Sequence, residues 1–134
     1  MSYLERAKSD LKAAGFMLSP ENNPSGDERL FDIGAYHVSQ AVEKCLKHIL
    51  HDRLGEDDTA KSFKTHSINA LISKVESLSE YQIPDYIKEI AALVTTWEAD
   101  TRYSVDCIAS KSDIEDCLER CERFIKDIET SDLL

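Results

Sequence analysis

From Ala35 to Leu50 the chain reads AYHVSQAVEKCLKHIL, and the spacing of its apolar residues predicts one helix buried around much of its circumference. At about 100° per residue, Gly34, Val38, Ala41, Val42, Cys45, Leu46 and Ile49 cover a broad apolar arc. Tyr36, His37, Gln40, Glu43, Lys44, Lys47 and His51 cover a compact polar one. So wide an apolar arc touches neighbours on more than one side, which makes this the central helix of a helical protein. A solvated face needs no phenol, amide and acid–base pair in one row, so the polar arc is where function is sought.

The remaining segments follow the same period. Only four glycines and three prolines occur, placed where helices break. Leu4, Ala7, Leu11, Ala14 and Leu18 predict a first helix from Ser2 to Leu18, followed by the turn-forming PENNPSG link from Pro20 to Gly26. The second helix is expected from Asp27 to Arg53, with Gly34 allowing a neighbour to approach closely. Leu54 to Thr65 is polar and reads as a mobile loop. Ile68, Leu71, Ile72, Val75 and Leu78 mark a third helix beginning around Thr65 to Ser67, and Ser79 to Ile83 ends it. Pro84 opens a fourth, with Ile87, Ile90, Ala91, Val94 and Trp97 inward and a break over Thr101 to Ala109. Ser112 with Glu115 reads as the capping box of a fifth, whose stripe is Ile114, Cys117, Leu118, Cys121, Phe124, Ile125 and Ile128. No strand pattern or repeat appears. The fold class is all-α, an up-and-down antiparallel bundle of about five helices in a single domain spanning residues 1–134.

The formal charge of −10, from 26 acids against 16 Lys and Arg, argues against general binding along phosphate backbones but leaves room for a local basic site. Cys45, Cys107, Cys117 and Cys121 form no C-x-x-C pair and read as reduced thiols, three of them on apolar helix faces. Cys45, His48 and His51 have helical spacing but diverge around the helix, so no metal site is expected, and no cofactor either. The first residues hold no apolar export core, and no run is long enough to cross a bilayer, so a cytoplasmic location without membrane partner is expected.

The residues equipped for ligand binding are Tyr36, Gln40, Glu43, Lys44 and Lys47 on the second helix, His66 before the third, and Asp100, Arg102 and Tyr103 beyond the fourth. Glu43 and Lys47, at i and i+4, pair on one helix face, and such pairs are common on solvated surfaces. As a lone histidine His66 reads as a cap or a surface residue; resemblance to a known family implies that it meets the polar face of the second helix, as a partner of Glu43 or of a phosphate. Asp100, Arg102 and Tyr103 fit a preorganised anion site and an interhelix clamp equally well.

Together these motifs resemble the HEPN family of small helical domains associated with nucleotides and nucleic acids. Gln40-Ala41-Val42-Glu43-Lys44-Cys45-Leu46-Lys47 fits the family's Gln-Ala-x-Glu-Lys-x-x-Lys pattern at each position. His66 and the Arg102-Tyr103 pair also stand where the family carries such residues. The resemblance implies a homodimer that contacts a nucleotide or an RNA end. It also implies pairing with a minimal nucleotidyltransferase in a toxin–antitoxin or defence module. The family's ribonucleases carry an arginine followed, after four to six intervening residues, by a histidine. After Arg102 those positions hold Cys107, Ile108 and Ala109, and Arg29 has His37 one residue too far. The nearest alternative is therefore a metal-independent RNase with a displaced active site, and the plainest a helical scaffold whose polar cluster fixes helix register.

Overall fold

The structure, a computed structural model, describes residues 1–103 and 109–134, apart from the side chains of residues 99–103. Its elements are α1 (Tyr3–Leu18), α2 (Glu28–His48), a π-helical turn (Ile49–Arg53), α3 (Ile68–Leu78), α4 (Asp85–Lys88), α5 (Ala91–Tyr103) and α6 (Lys111–Thr130). No strand occurs among the described residues. α2 is central as expected, packing against α1, α3, α5 and α6.

Local chemistry sets the helix ends. Ser2 Oγ accepts from the Glu5 amide (3.2 Å) while the Glu5 carboxylate accepts from the Ser2 amide (3.1 Å), a reciprocal capping box that starts α1. The link to α2 is pinned by Asn23, whose side chain accepts from the Asp27 amide and donates to the Asp27 carbonyl. Asp27 in turn caps α2 through the Arg29 amide. Gly26 at φ +68° lets the chain turn just before this cap. At its other end α2 widens into the π turn, where the Leu54 amide reaches back five residues to the Ile49 carbonyl (2.9 Å).

Three boundaries differ from the sequence reading. The fourth helix is two: Pro84 starts the single turn α4, and the chain resumes as α5 with the apolar stripe unbroken, so Ile87, Ile90, Ala91, Val94 and Trp97 are all buried. The backbone of α5 continues through Tyr103, past the break expected at Thr101; the remainder of that expected break lies outside the described residues. The cap of α6 is Ser110, whose Oγ accepts from the Asp113 amide (3.2 Å), so the residue completing the first turn is Asp113 and the expected Ser112–Glu115 box does not form.

The segment read as a mobile loop inserts Phe63 into the core at 2% exposure. At Gly34 an added Cβ would lie 3.5 Å from Met17 Cβ, ordinary contact, so α1 passes close without requiring a glycine there. α4 is fastened to α6 by Tyr86, whose hydroxyl donates to Asp127, whose carbonyl accepts from Arg120 (2.9 Å), and whose ring lies 4.4 Å under the Arg123 guanidinium. Cys45, Cys117 and Cys121 are buried free thiols, with the Sγ atoms of Cys45 and Cys121 4.0 Å apart. Cys107 lies outside the described residues.

Candidate functional site at the Glu43–His66 face of the central helix

Glu43 and Lys44 are neighbours in sequence, and a helix turns them about 100° apart. That rotation sends them to different places. Lys44 Nζ donates to Asp10 of α1 at 2.6 Å, and His37 Nδ1 lies 3.0 Å from the other oxygen of the same carboxylate. Lys44 therefore belongs to an α1–α2 fastening and not to the cluster around Glu43. Burial pushes the Asp10 carboxyl pKa up, but hydrogen bonds from His37 and Lys44 outweigh it and hold the pKa below the usual range. A depressed carboxyl contributes stability that is present above its unfolded pKa of about 3.9 and is lost as pH falls through the lower folded value. Asp10→Asn should thus be less stable than the wild type at neutral pH and lose less stability below about pH 4. Chemical denaturation at a series of pH values checks both halves.

Glu43 points the other way, toward α3 and α5, and is only 4% exposed. One of its oxygens accepts from Lys47 Nζ at 3.3 Å and the other from His66 Nδ1 at 2.8 Å. Lys47 is itself half-buried, its Nζ 5.5 Å from the centre of the Phe63 ring. Glu98 of α5, also buried, brings a second carboxylate to 4.0 Å from the same histidine nitrogen.

His66 is held by its neighbours. The Ser67 amide donates to Thr65 Oγ1, Ser67 Oγ caps the Ala70 amide, and the Ile68 amide donates across to Thr95 Oγ1 on α5. These bonds occupy two of the first-turn donors of α3 that a phosphate would otherwise meet. The His66 side chain is 58% exposed. A carboxylate only accepts, so the Glu43 contact assigns the proton to Nδ1 and leaves Nε2 with no protein partner among the described residues. Neutral, Nε2 accepts a hydrogen bond or a proton; charged, it donates to an anion.

Of the residues singled out from sequence, the fold thus joins Glu43, Lys47 and His66. Tyr36 and Gln40 lie on the same row of α2 and are half-buried, the Tyr36 ring meeting His37 edge-on at 5.8 Å. Asp100, Arg102 and Tyr103 lie in the last turns of α5, and their side chains are outside the described residues. Sequence reasoning missed Asp10 as the anchor of Lys44. The signal was present, because Ala7, Asp10, Ala14 and Met17 continue one stripe at helical spacing. Glu98, which the sequence offers with Glu43 as a carboxylate for Arg102 in an interhelix clamp, joins this cluster beside His66.

The two other histidines are committed elsewhere. His48 Nδ1 contacts Asp52 at 2.9 Å while its Nε2 accepts from Arg53 Nε at 3.2 Å, and His51 Nδ1 donates to the Glu56 carbonyl at 2.8 Å. No group of three or more His, Cys, Asp or Glu that could hold a metal ion occurs among the described residues. No helix among them is long and apolar enough to cross a membrane.

A family model for the HEPN domain matches residues 1–131. The chain belongs to the HEPN family. The match spans all six helices. HEPN membership sets the protein among nucleotide- and RNA-associated helical modules. No curated protein matches the chain, and no solved structure matches it.

Proposed function

We propose that this HEPN chain binds a nucleotide or an RNA end at the face formed by Glu43, Lys47 and His66. We further propose that it acts as a homodimer and as the helical partner of a minimal nucleotidyltransferase in a toxin–antitoxin or defence pair. The observation that carries the binding reading is His66: an exposed imidazole whose inner nitrogen is locked on a buried carboxylate and whose outer nitrogen is open to a ligand. Tyr36 and Gln40 extend the row with a phenol and an amide, and the proposed site takes in Asp100 with Arg102 and Tyr103, an Arg-Tyr pair like the one the family carries. Titration calorimetry with ATP, with and without Mg²⁺, should show saturable binding that His66→Ala weakens about tenfold, the worth of one charge-assisted hydrogen bond. Absence of heat with every nucleotide tried, or equal binding by His66→Ala, overturns the reading.

The Glu43–His66 pair favours a second reading, RNA cleavage without metal. A carboxylate that fixes Nδ1–H leaves Nε2 as a general base for a ribose 2′-hydroxyl, the arrangement used wherever a histidine must take a proton in a set orientation. Incubation of pure protein with RNA in EDTA tests it: cleavage lost in His66→Ala supports the reading, and intact RNA removes it. A chain that neither binds nor cuts is a helical scaffold held by the Glu43 network.

A further inference from the structure

Residues 54–65, between the π turn and α3, are tied down on three sides. Toward the π turn, the Glu56 amide donates to the Leu50 carbonyl (2.8 Å), and the Glu56 carbonyl accepts from His51 Nδ1. Toward α1, the Tyr3 hydroxyl donates to Asp58 (3.3 Å). Toward α3, Lys74 Nζ donates to Ser62 Oγ (2.8 Å) and lies 3.8 Å from the Glu56 carboxylate. Inside these ties sits Phe63, its ring 5.8 Å from that of Tyr3, 6.1 Å from that of His51 and 5.5 Å from Lys47 Nζ. Lys47 is the cation that answers Glu43, so this segment packs directly behind the candidate site.

His51 is the tie that titrates near neutral pH. Both of its ring nitrogens face acceptors. A carbonyl only accepts, so Nδ1 carries a proton for Glu56. Nε2 lies 3.7 Å from the Asp58 carboxylate. A second proton there attracts Asp58, whereas a bare lone pair faces the carboxylate unfavourably. The surrounding charges come from each neighbouring element: Asp52 on the π turn, Asp57 and Asp58 on the segment itself, Arg6 on α1, Lys47 behind Phe63 on α2, and Lys64 beside Asp57. We propose that residues 54–65 form a pH-set strap, drawn shut over Phe63 when His51 is charged and loosened when His51 is neutral.

The direction follows from linkage. The Glu56 carbonyl, then Asp58, Asp52 and Asp57, raise the His51 pKa above 6.5 and outweigh the opposing effect of burial. The tightening is therefore complete below about pH 6.5 and is lost as pH rises through the higher value of the closed strap. Burial and Asp58 push the Tyr3 phenol up, so it keeps its proton over this range.

Hydrogen exchange of the unliganded full chain, followed by NMR and corrected for the intrinsic pH dependence of exchange, tests the strap independently of the nucleotide reading. The probes are the amides of Glu56 and of Phe63, the latter bonded to the Ala60 carbonyl, with Val42 in the buried middle of α2 reporting opening of the whole fold. From pH 5.5 to pH 9 the protection of Glu56 and Phe63 should fall about two- to fivefold, the worth of a part-exposed ion pair, while Val42 holds steady. His51→Gln removes the titrating ring and leaves His48 in place; Asp58→Asn keeps an acceptor for Tyr3 and removes the charge. Each should flatten the step. Protection that does not change with pH in the wild type, a step that survives either substitution, or a parallel fall at Val42 overturns the proposal.

Discussion

Glu43→Ala should cost about 3–5 kcal/mol of folding stability, read as a large drop in the urea midpoint. The reason is asymmetry. Glu43 is 4% exposed and answers both Lys47 and His66. Removing it leaves the Lys47 ammonium, whose side chain is only 12% exposed, without its carboxylate. Deleting both charges is a different experiment. Glu43→Met/Lys47→Met fills the same space with apolar atoms and should recover most of the loss, because a buried ion pair gains little over well-packed hydrophobic residues. The double-mutant cycle measures the coupling directly. Its outcome also bears on role: a double variant that folds as stably as wild type yet no longer binds a nucleotide separates the chemistry of the face from its contribution to the fold.

Phe124→Ala should destabilise by about 3–5 kcal/mol, the transfer term of a large ring plus the cavity it leaves. Phe124 is fully buried on α6, the helix that closes the bundle over α1 and α2. For a chain of this size that loss lowers the melting midpoint by about 10–20 °C. Glu119→Ala, on the exposed face of the same helix, should stay within about 0.5 kcal/mol of wild type. Differential scanning calorimetry of the two variants distinguishes a helix packed along one stripe from one loosely attached.

The helices were legible because their apolar residues keep a single period. Every stripe residue named on α1 is buried, as are those of α4 and α5, since burial and periodicity express the same constraint. What periodicity does not encode is where a helix begins. Ser110 and Ser112 both precede Ile114, and only backbone geometry chooses Ser110 as the cap. Pro84 was read correctly as an opening residue, yet the stripe that runs on from Ile87 hides the interruption between α4 and α5. Phe63 was invisible for the opposite reason: a single large side chain inserted from an irregular segment has no period at all.

The candidate site was legible to the extent that it lies on one helix. Glu43 and Lys47 follow from i, i+4 spacing, and their contact is observed at 3.3 Å. The contact of His66 with Glu43 spans 23 positions in sequence and was reached through family likeness. Lys44 shows what adjacency in sequence hides. Adjacent charges on a sequence look like one patch, but the rotation per residue assigned this one to Asp10 and α1.

That division of labour makes α2 unusually sensitive to length. Substitutions at Gln40 or Val42 change one side chain, whereas deleting a single residue between His37 and Glu43 would rotate every position on one side of the cut by about 100° relative to the other. Asp10 would lose one of its two partners and His66 would face a different residue, both in one event. The helix is thus a phase-locked spacer between two polar clusters, and indels there are a different class of lesion from point changes.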